Sequence, residues 1–236
     1  MSGVTEWEPE AKNWVRWARQ PGHDAYWYYR DAFFDLIPPA GERTIELGCG
    51  EGRVARDLFE RGHRVVGVEP APTLVRHARD ADASGSYVVA DGAAVPCRTG
   101  AFDLVVAYNS LQVVADMQGT VKEAARLLRP GGHFCATVSH PAMDLGRFVQ
   151  GESEMSFTIR PAYFERRRVD DTLEMNGLEV TCRGWTYTFE DYFVAFERAG
   201  LVVETMREPR PSTTSGTFER WQTVPLFLMV RALKPR

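Results

Sequence analysis

The sequence from residue 44 to residue 56 is Thr44-Ile45-Glu46-Leu47-Gly48-Cys49-Gly50-Glu51-Gly52-Arg53-Val54-Ala55-Arg56, a short apolar run, three alternate glycines and then a helical pattern. This order predicts a strand, a tight turn and a helix. Glycines at such a junction tolerate positive φ and let a ligand approach the backbone, while the first N–H groups of the helix are partly positive. The stretch therefore predicts a site for a nucleotide-like ligand, the alternative being glycines that only end a strand.

Strands and helices alternate regularly along the chain on both sides of this turn. Apolar runs predict strands at 44–47, 64–69, 86–90, 101–107, 133–139, 201–204 and 224–232, and helical periodicity predicts helices at 54–61, 73–79, 121–128 and 189–198. This alternation predicts an α/β fold with a doubly wound, Rossmann-like sheet of seven strands. Because a loop without a helix precedes the last strand, we expect it to run antiparallel to six parallel strands.

Several polar residues follow the predicted strands directly, and right-handed crossovers bring such strand ends to one edge of the sheet. These residues are Gly48, Glu69, Asp91, Asn109 and His140. Glu69 lies about twenty residues beyond the glycines, the distance at which a βαβ unit delivers a carboxylate to the two hydroxyls of a ribose. The sequence thus predicts a ligand site at this edge.

Two segments lie outside the regular alternation. Residues 1–40 are rich in aromatic side chains and predict one or two amphipathic helices, which either pack on the sheet or form a lid with Tyr28 or Arg30 reaching a bound cofactor. Residues 141–184 contain Asn176-Gly177 between extended segments, a strong hairpin signal, and predict an inserted β-hairpin cap. We interpret the basic run Arg166–Arg168 as a solvated face.

Composition sets limits on the class of protein. The chain has 236 residues, 44% hydrophobic and 25% charged, with a formal net charge of −4, which suits one α/β domain and argues against a general nucleic-acid surface. Apolar runs are too short to span a membrane. The four cysteines are scattered without a CxxC spacing or a secretory signal, so we expect free thiols in a reducing cytoplasm and no metal site.

The motifs together resemble those of the class I S-adenosylmethionine-dependent methyltransferases that act on small molecules. Glu46 to Gly52 is similar to the first motif of the family, Glu69 to its ribose-binding acid, and Asp91-Gly92 to its adenine-side acid. Leu127-Leu128-Arg129-Pro130-Gly131-Gly132 is similar to the turn before the fifth strand of the family. The resemblance covers residues 42 to 140 by motif and 185 to 235 by topology.

The resemblance implies S-adenosyl-L-methionine as the cofactor and no metal. With the lid residues, the implied cofactor site comprises Tyr28, Arg30, Glu46, Gly48, Cys49, Gly50, Glu69, Pro70, Asp91, Gly92, Asn109, Ser110 and Leu111. It also implies three parts, namely a lid at 1–40, a methyltransferase domain at 41–140 and 185–236, and a substrate cap at 141–184. A dinucleotide oxidoreductase is the main competitor within the fold, but its fingerprint needs glycine where this chain has Arg53.

Methyl transfer is an in-line displacement at an activated carbon, so the protein must align the nucleophile and remove its proton where it has one. His140 is the candidate base, because it ends the fifth strand and titrates near neutral pH. The alternative is that His140 only forms a hydrogen bond before Pro141. Residues 108–111 stand where family members that methylate planar amino groups carry a motif with two prolines, and this chain lacks them.

The lid and cap would build the substrate side. Tyr163, Phe164 and Trp185, with Phe148, Phe157 and Tyr187, suit an apolar or aromatic small molecule of the natural-product type, although they could instead form the core of the cap. We expect methyl transfer to oxygen or nitrogen by a monomer or homodimer. The rivals are a cyclisation or rearrangement that leaves the cofactor intact, and a non-catalytic binding module of the same fold.

Overall fold

A computed structural model describes residues 6–150, 155–159 and 163–236 of the chain. The α-helices in these ranges are α1 (Ala11–Arg19), α2 (Tyr26–Phe34), α3 (Arg53–Glu60), α4 (Pro72–Ala81), α5 (Met117–Leu127) and α6 (Phe189–Arg198). The β-strands are β1 (Thr44–Leu47), β2 (Val65–Glu69), β3 (Ser86–Val89), β4 (Phe102–Tyr108), β5 (Leu128–Ser139), β6 (Gly146–Gln150), β7 (Met155–Ile159), β8 (Arg168–Met175), β9 (Leu178–Trp185), β10 (Val202–Arg207) and β11 (Phe227–Leu233).

Seven strands form one sheet in the order β10-β11-β5-β4-β1-β2-β3. The pairs β3–β2, β2–β1, β1–β4 and β4–β5 are parallel, whereas β11 is antiparallel to both β5 and β10. The predicted fold class is therefore confirmed, including the reversed last strand. After β3 the chain crosses back over the sheet, so that β4 pairs with the free side of β1. Such a change in strand order leaves a crevice over the carboxyl ends of β1 and β4, where ligands bind in such sheets.

Alternating strand residues supply a core on each face of the sheet. In β1, Ile45 and Leu47 join the buried cluster under α5 and α6, whereas the opposite face is covered by α2 and α3. In α2, Tyr26, Tyr29 and Phe33 recur at helical spacing and are buried, which explains why this aromatic helix packs inward. Each such fully buried aromatic side chain contributes about 2 kcal/mol of hydrophobic free energy.

Local signals set the ends of several helices. Proline at the first position of α4 has the backbone angle that a helix needs, and the glycine turn leads directly into α3. Thr188 caps α6 through a reciprocal pair of hydrogen bonds with Asp191. None of the helices in the described ranges is long and apolar enough to cross a membrane.

The insertion forms two separate hairpins, β6–β7 and β8–β9. Asn176 and Gly177 connect β8 to β9 with φ of 52° and 74°, the two left-handed residues that the predicted hairpin turn requires. The second hairpin packs on α1, where Arg183 lies 3.8 Å from Glu10. The predicted lid and cap include residues 1–5, 151–154 and 160–162, which lie outside the described residues, so the division into three parts stays a prediction.

β5 departs furthest from its predicted limits among the strands of the main sheet. β5 begins at Leu128 and runs through the stretch predicted as a turn before residue 133. The reason is a long-range pairing with the end of the chain, because Gly131 N–H donates to the Lys234 carbonyl and Lys234 N–H donates to the Gly132 carbonyl. The four cysteines, all in described ranges, are free thiols, as expected.

Candidate active site

A cavity lies over the carboxyl ends of β1 to β4, and the structure brings most of the predicted cofactor residues to its walls. These are Glu46, Gly48, Cys49, Gly50, Glu69, Pro70, Asp91, Gly92, Asn109 and Ser110. They come from the ends of four strands that are far apart in the chain but adjacent in the sheet. The predicted convergence at one edge is thus present for β1 to β4.

The glycine turn is shaped by two close approaches. Gly48 has φ of 74°, and a Cβ there would lie 2.5 Å from the Ser110 Cβ. Gly50 has φ of 56°, and a Cβ there would lie 3.2 Å from Nε1 of Trp14. Side chains at these positions would be strained and would fill the space beside the cavity, so the turn leaves bare backbone facing a ligand.

Glu69 ends β2 with its carboxylate held in one orientation. Its Oε2 accepts a hydrogen bond from the Gly50 N–H at 3.1 Å, and its Oε1 accepts one from the Ala71 N–H at 3.0 Å. The residue is only 5% exposed, and burial raises the pKa of its carboxyl to about 7 against the opposing effect of these two bonds. Each oxygen retains a lone pair, so the group can accept hydrogen bonds from two adjacent hydroxyls.

Asp91 follows β3 on the neighbouring side of the cavity. Its Oδ1 accepts a hydrogen bond from the Ala93 N–H at 2.9 Å, which orients the half-buried carboxylate toward the space beside Gly92. A carboxylate in this position can accept a hydrogen bond from an exocyclic amine. Glu69 and Asp91 therefore offer two oriented acceptor groups in the order that the sequence predicts.

Glu46 lies in the floor of the cavity and is 1% exposed. Its Oε2 has no hydrogen-bond partner in the described part of the chain. Burial raises the pKa of this carboxyl to about 8, and the charges of Arg53 and Arg56 oppose that rise. An unpartnered buried carboxyl oxygen is costly unless a ligand supplies a donor.

Asn109 follows β4 with φ of 53°, a left-handed conformation that asparagine tolerates better than most residues. Its N–H donates to the Thr137 carbonyl, and its Oδ1 is buried without a partner among the residues described. The neighbouring Ser110 hydroxyl donates to the Leu47 carbonyl at 2.7 Å. β4 and β1 are thereby tied together under the cavity, with one amide oxygen free for a ligand.

The aromatic and basic residues of the cavity wall are not among the cofactor contacts that the sequence predicts. They are Trp7, Trp14, Arg53 and Tyr108. The signal for the first two was the aromatic composition of the N-terminal segment, although it does not reveal which ring faces the cavity. In the sequence, Arg53 only argues against a dinucleotide fingerprint. In the structure, it forms part of the cavity wall directly after the glycine turn.

Three predicted cofactor residues, Tyr28, Arg30 and Leu111, do not line this cavity, and a cofactor role for them stays a prediction. The Tyr28 hydroxyl donates to the Gly22 carbonyl, and Arg30 pairs with Asp57 at 3.3 Å, the carboxylate that also accepts from the Tyr26 hydroxyl. The inward side of α2 is taken by Tyr26 and its helical neighbours. Leu111 is fully buried in the core beneath α5 and does not line the cavity.

His140 is enclosed at the end of β5. Its Nδ1 accepts a hydrogen bond from the Ala142 N–H at 3.0 Å, so Nε2 carries the proton of the neutral ring and lies 2.7 Å from Oε1 of Glu208. Burial lowers the pKa of the imidazole, and Glu208 opposes that change. Because both ring nitrogens are engaged, this arrangement favours the structural alternative for His140 over the base.

The predicted substrate residues do not line the cavity but lie in the cover, which comprises the hairpins β6–β7 and β8–β9 and residues 163–167 between them. Phe164 is 87% exposed and packs edge-on against Tyr163, whose hydroxyl accepts a hydrogen bond from the Phe189 N–H. Trp185 lies under the guanidinium of Arg166, at 4.9 Å from the ring centroid. The basic run is therefore not simply a solvated face, because part of it stacks on aromatic rings of the cap.

The hydrogen-bonding groups of this cavity fit the adenine, ribose and amino-acid parts of S-adenosylmethionine. Two oriented carboxylates match a ribose diol and an adenine amine, and the glycine turn and Glu46 match an amino-acid end. The unpartnered Glu46 Oε2 and Asn109 Oδ1 are the observations that call for a ligand with hydrogen-bond donors. Side-chain chemistry at the edge is therefore compatible with the group that the resemblance implies.

Comparison with known protein families gives a match to a methyltransferase domain over residues 45–136. A ubiquinone biosynthesis O-methyltransferase from Methylobacterium sp. is 37% identical over 110 residues, covering 45% of this chain and 44% of that protein. A malonyl-[acyl-carrier protein] O-methyltransferase from Salmonella typhimurium is 34% identical over 179 residues, covering 72% of this chain and 68% of that protein. The chain thus spans less than half the length of the first relative.

Comparison with solved structures supports the same architecture. An S-adenosylmethionine dependent methyltransferase from Mesorhizobium loti superposes with a TM-score of 0.68 at 24% identity, covering 89% of this chain and 98% of that one. At this level of identity the likeness shows the fold alone.

Proposed function

The chain belongs to the family of S-adenosylmethionine-dependent methyltransferases, and on that premise we propose that it transfers a methyl group to an oxygen or nitrogen of a small aromatic or apolar molecule. The cofactor is S-adenosyl-L-methionine, which supplies a methyl group activated by a sulfonium. One observation carries the proposal: the glycine turn of β1 and the acids that end β2 and β3 line a single cavity.

Each part of the cavity has a proposed role in holding the cofactor. Glu69 binds the ribose hydroxyls, supported by the two backbone N–H groups that fix its carboxylate. Asp91 and Gly92 bind the adenine side, and Pro70 packs beside them. The turn at 48–50 takes the amino-acid end, with Glu46 and Asn109 as acceptors for its ammonium.

Orientation is the main contribution that these residues make to methyl transfer. A nucleophile must approach in line with the bond that breaks, so a cofactor held at three points fixes the direction of approach. Trp7 and Trp14 cover the cavity from the N-terminal segment and pack edge-to-face at 5.5 Å. Their rings limit the access of water to the reacting centre.

The acceptor side is proposed to adjoin Asn109 at the end of β4. Tyr108 lines the cavity and also contacts Tyr26 and Phe33 in the aromatic cluster beneath α2, at ring-centroid distances of 5.4 and 4.9 Å. The same cluster contains Tyr29, whose hydroxyl is buried without a partner in the described ranges. Tyr108 is the member of this cluster that lines the cavity, and its ring, with a buried hydroxyl that has no partner in the described ranges, suits an aromatic acceptor that carries polar substituents.

The names of the relatives favour oxygen as the acceptor atom. Both the ubiquinone-biosynthesis and the malonyl relatives are O-methyltransferases by name. A natural-product substrate remains our proposal from the aromatic character of the cover. Phe164, Tyr163 and Trp185 are proposed to contact the acceptor when it is bound, because the exposed Phe164 offers apolar surface.

Incubation with labelled cofactor and matched panels of phenols, amines and carboxylic acids tests this function. We expect release of S-adenosylhomocysteine and a labelled product with the phenol panel. Conversion of an acceptor while the cofactor stays intact would instead support the rearrangement rival. Cofactor binding without any conversion across all three panels would support the binding-module rival.

A further inference from the structure

Arg53 is the single basic residue among the described residues that line the cavity. It begins α3 directly after the glycine turn, and its guanidinium lies 4.3 Å from the ring centroid of Tyr26 and 5.4 Å from that of Trp14. The two rings hold the planar group in place. A buried, oriented guanidinium is a strong and specific partner for an anion.

Only one nitrogen of this guanidinium is used by the protein in the described ranges. Its Nη1 donates to Oδ2 of Asp24 at 2.7 Å and lies 3.4 Å from the Ala18 carbonyl oxygen. Nε and Nη2 have no partner among the described residues, which leaves one edge of the fork with two parallel donors. This edge matches the two oxygens of a carboxylate.

The groups around Arg53 restrict the kind of ligand that it can bind. Glu51, the nearest acid in the turn, is already paired with Arg19 and Arg56, each at 2.7 Å. Glu46 Oε2 and Asn109 Oδ1 are buried acceptors without partners in the part of the chain described, and both line the same cavity. Two free donors beside two free acceptors complement a carboxylate that stands next to an ammonium group.

We propose that Arg53 is the carboxylate-binding residue of this cavity. The expected source of the carboxylate is the amino-acid end of the cofactor, and the other source with the same chemistry is a carboxylate on the acceptor. The inference rests on the proposed function, because it assigns a role within that cofactor site. In this proposal the main partner of the carboxylate is the Arg53 side chain, and not the backbone N–H groups of the glycine turn alone.

Calorimetric titration with two nucleosides tests the first source. S-adenosylhomocysteine carries the amino-acid end, whereas 5′-methylthioadenosine lacks it. We expect Arg53→Met to weaken binding of S-adenosylhomocysteine roughly 10- to 100-fold and to leave binding of methylthioadenosine unchanged. Retained methylthioadenosine binding shows that the variant is folded, and Arg61→Met, near the other end of α3, is the matched control that should bind both as the wild type does.

A second titration separates the two sources. With S-adenosylhomocysteine saturating, malonate is added to the wild type and to Arg53→Met. Loss of malonate binding in the variant, with the preference between the nucleosides unchanged, would assign the carboxylate to the acceptor. If Arg53→Met keeps both the wild-type preference between the nucleosides and the wild-type affinity for malonate, the proposal is overturned. If the wild type binds neither nucleoside, the cofactor site itself is contradicted.

Discussion

The cofactor edge of the sheet and the cover above it are built on different principles. At the edge, the ligand groups stand on the ends of paired, buried strands, and Glu69 is fixed by two backbone N–H groups. In the cover, β6–β7 and β8–β9 form separate two-stranded sheets, and apolar side chains such as Ile159 of β7 and Phe164, in the segment between the two hairpins, are exposed. Geometry at the edge is set by the backbone, whereas contacts in the cover are set by side chains.

This difference predicts which substitutions affect cofactor binding. A rigid scaffold positions groups more precisely than a loop or an isolated hairpin. In the proposed function, the edge binds the cofactor and the cover contacts the acceptor. Substitutions at the edge should therefore impair cofactor binding, and equivalent substitutions in the cover should leave it intact.

The largest contrast is expected from two glycines with the same φ of 74°. Gly48→Ala places a Cβ 2.5 Å from the Ser110 Cβ, whereas Gly177→Ala at the hairpin tip meets no atom within 4 Å. We expect Gly48→Ala to reduce affinity for S-adenosylhomocysteine by roughly 3 kcal/mol or more, and Gly177→Ala to cost only about 1 kcal/mol of stability. Calorimetry measures the affinity of both variants for S-adenosylhomocysteine, and urea unfolding measures their stability. Equal affinities of the two variants would contradict the comparison.

Glu46 gives a pH dependence specific to the edge. Because its pKa is raised in the folded state to about 8 from an ordinary value of 4.5, the folded protein binds more protons than the unfolded chain between these values, and stability falls as pH rises. Replacing it with a neutral amide, Glu46→Gln, should remove roughly 3 kcal/mol of that decrease. Urea unfolding without cofactor at pH 5 and pH 8 tests this, and parallel curves for wild type and variant would refute it.

Glu69→Ala should weaken binding of S-adenosylhomocysteine by roughly 2–3 kcal/mol, since it removes a charged acceptor of buried hydroxyls. The matched variant in the cover is Glu179→Ala, an exposed glutamate of β9, which should bind the nucleoside as the wild type does. Titration calorimetry compares the two. An unchanged affinity in Glu69→Ala would rule out the ribose role.

His140 lies at the boundary between edge and cover, and His140→Ala distinguishes its two readings. The hydrogen bonds to Ala142 and Glu208 predict a loss of about 1–2 kcal/mol in the free energy of unfolding, with cofactor affinity unchanged. Turnover corrected for folded protein should stay within a fewfold of the wild type. A fall of about a hundredfold with loss of the acid limb of the pH profile would restore the base.

Phe164 offers the smallest effect. Because it is exposed, Phe164→Ser should leave stability and cofactor affinity unchanged. If it contacts an aromatic acceptor, KM for that acceptor should rise about tenfold, the value of one lost apolar contact. Steady-state kinetics on the accepted phenol measures this, and an unchanged KM would remove Phe164 from the substrate site.

Sequence reasoning predicted the edge because its signals are local. The glycines after β1, Glu69 after β2 and Asp91 after β3 each follow a strand directly, and parallel topology alone brings them together. The Asn176-Gly177 hairpin was predicted for the same reason, since two adjacent residues decide it. These features needed no knowledge of distant contacts.

Other features depend on pairs of residues far apart in the chain. Whether Tyr26 or Tyr28 faces the sheet depends on how α2 is rotated, and the engagement of His140 depends on Glu208, 68 residues later. Arg53 gains its orientation from Trp14 and Asp24 in a different segment. No periodicity within the chain encodes such pairings, so the cover and the inner contacts of the cavity were predicted only in outline.

A crystal structure of the protein with S-adenosylhomocysteine tests the central claim most directly. The account predicts the nucleoside in the cavity over β1 to β4, with both ribose hydroxyls within hydrogen-bond distance of Glu69 and the adenine amine beside Asp91. A nucleoside bound elsewhere, or one in this cavity whose ribose does not contact Glu69, would contradict it.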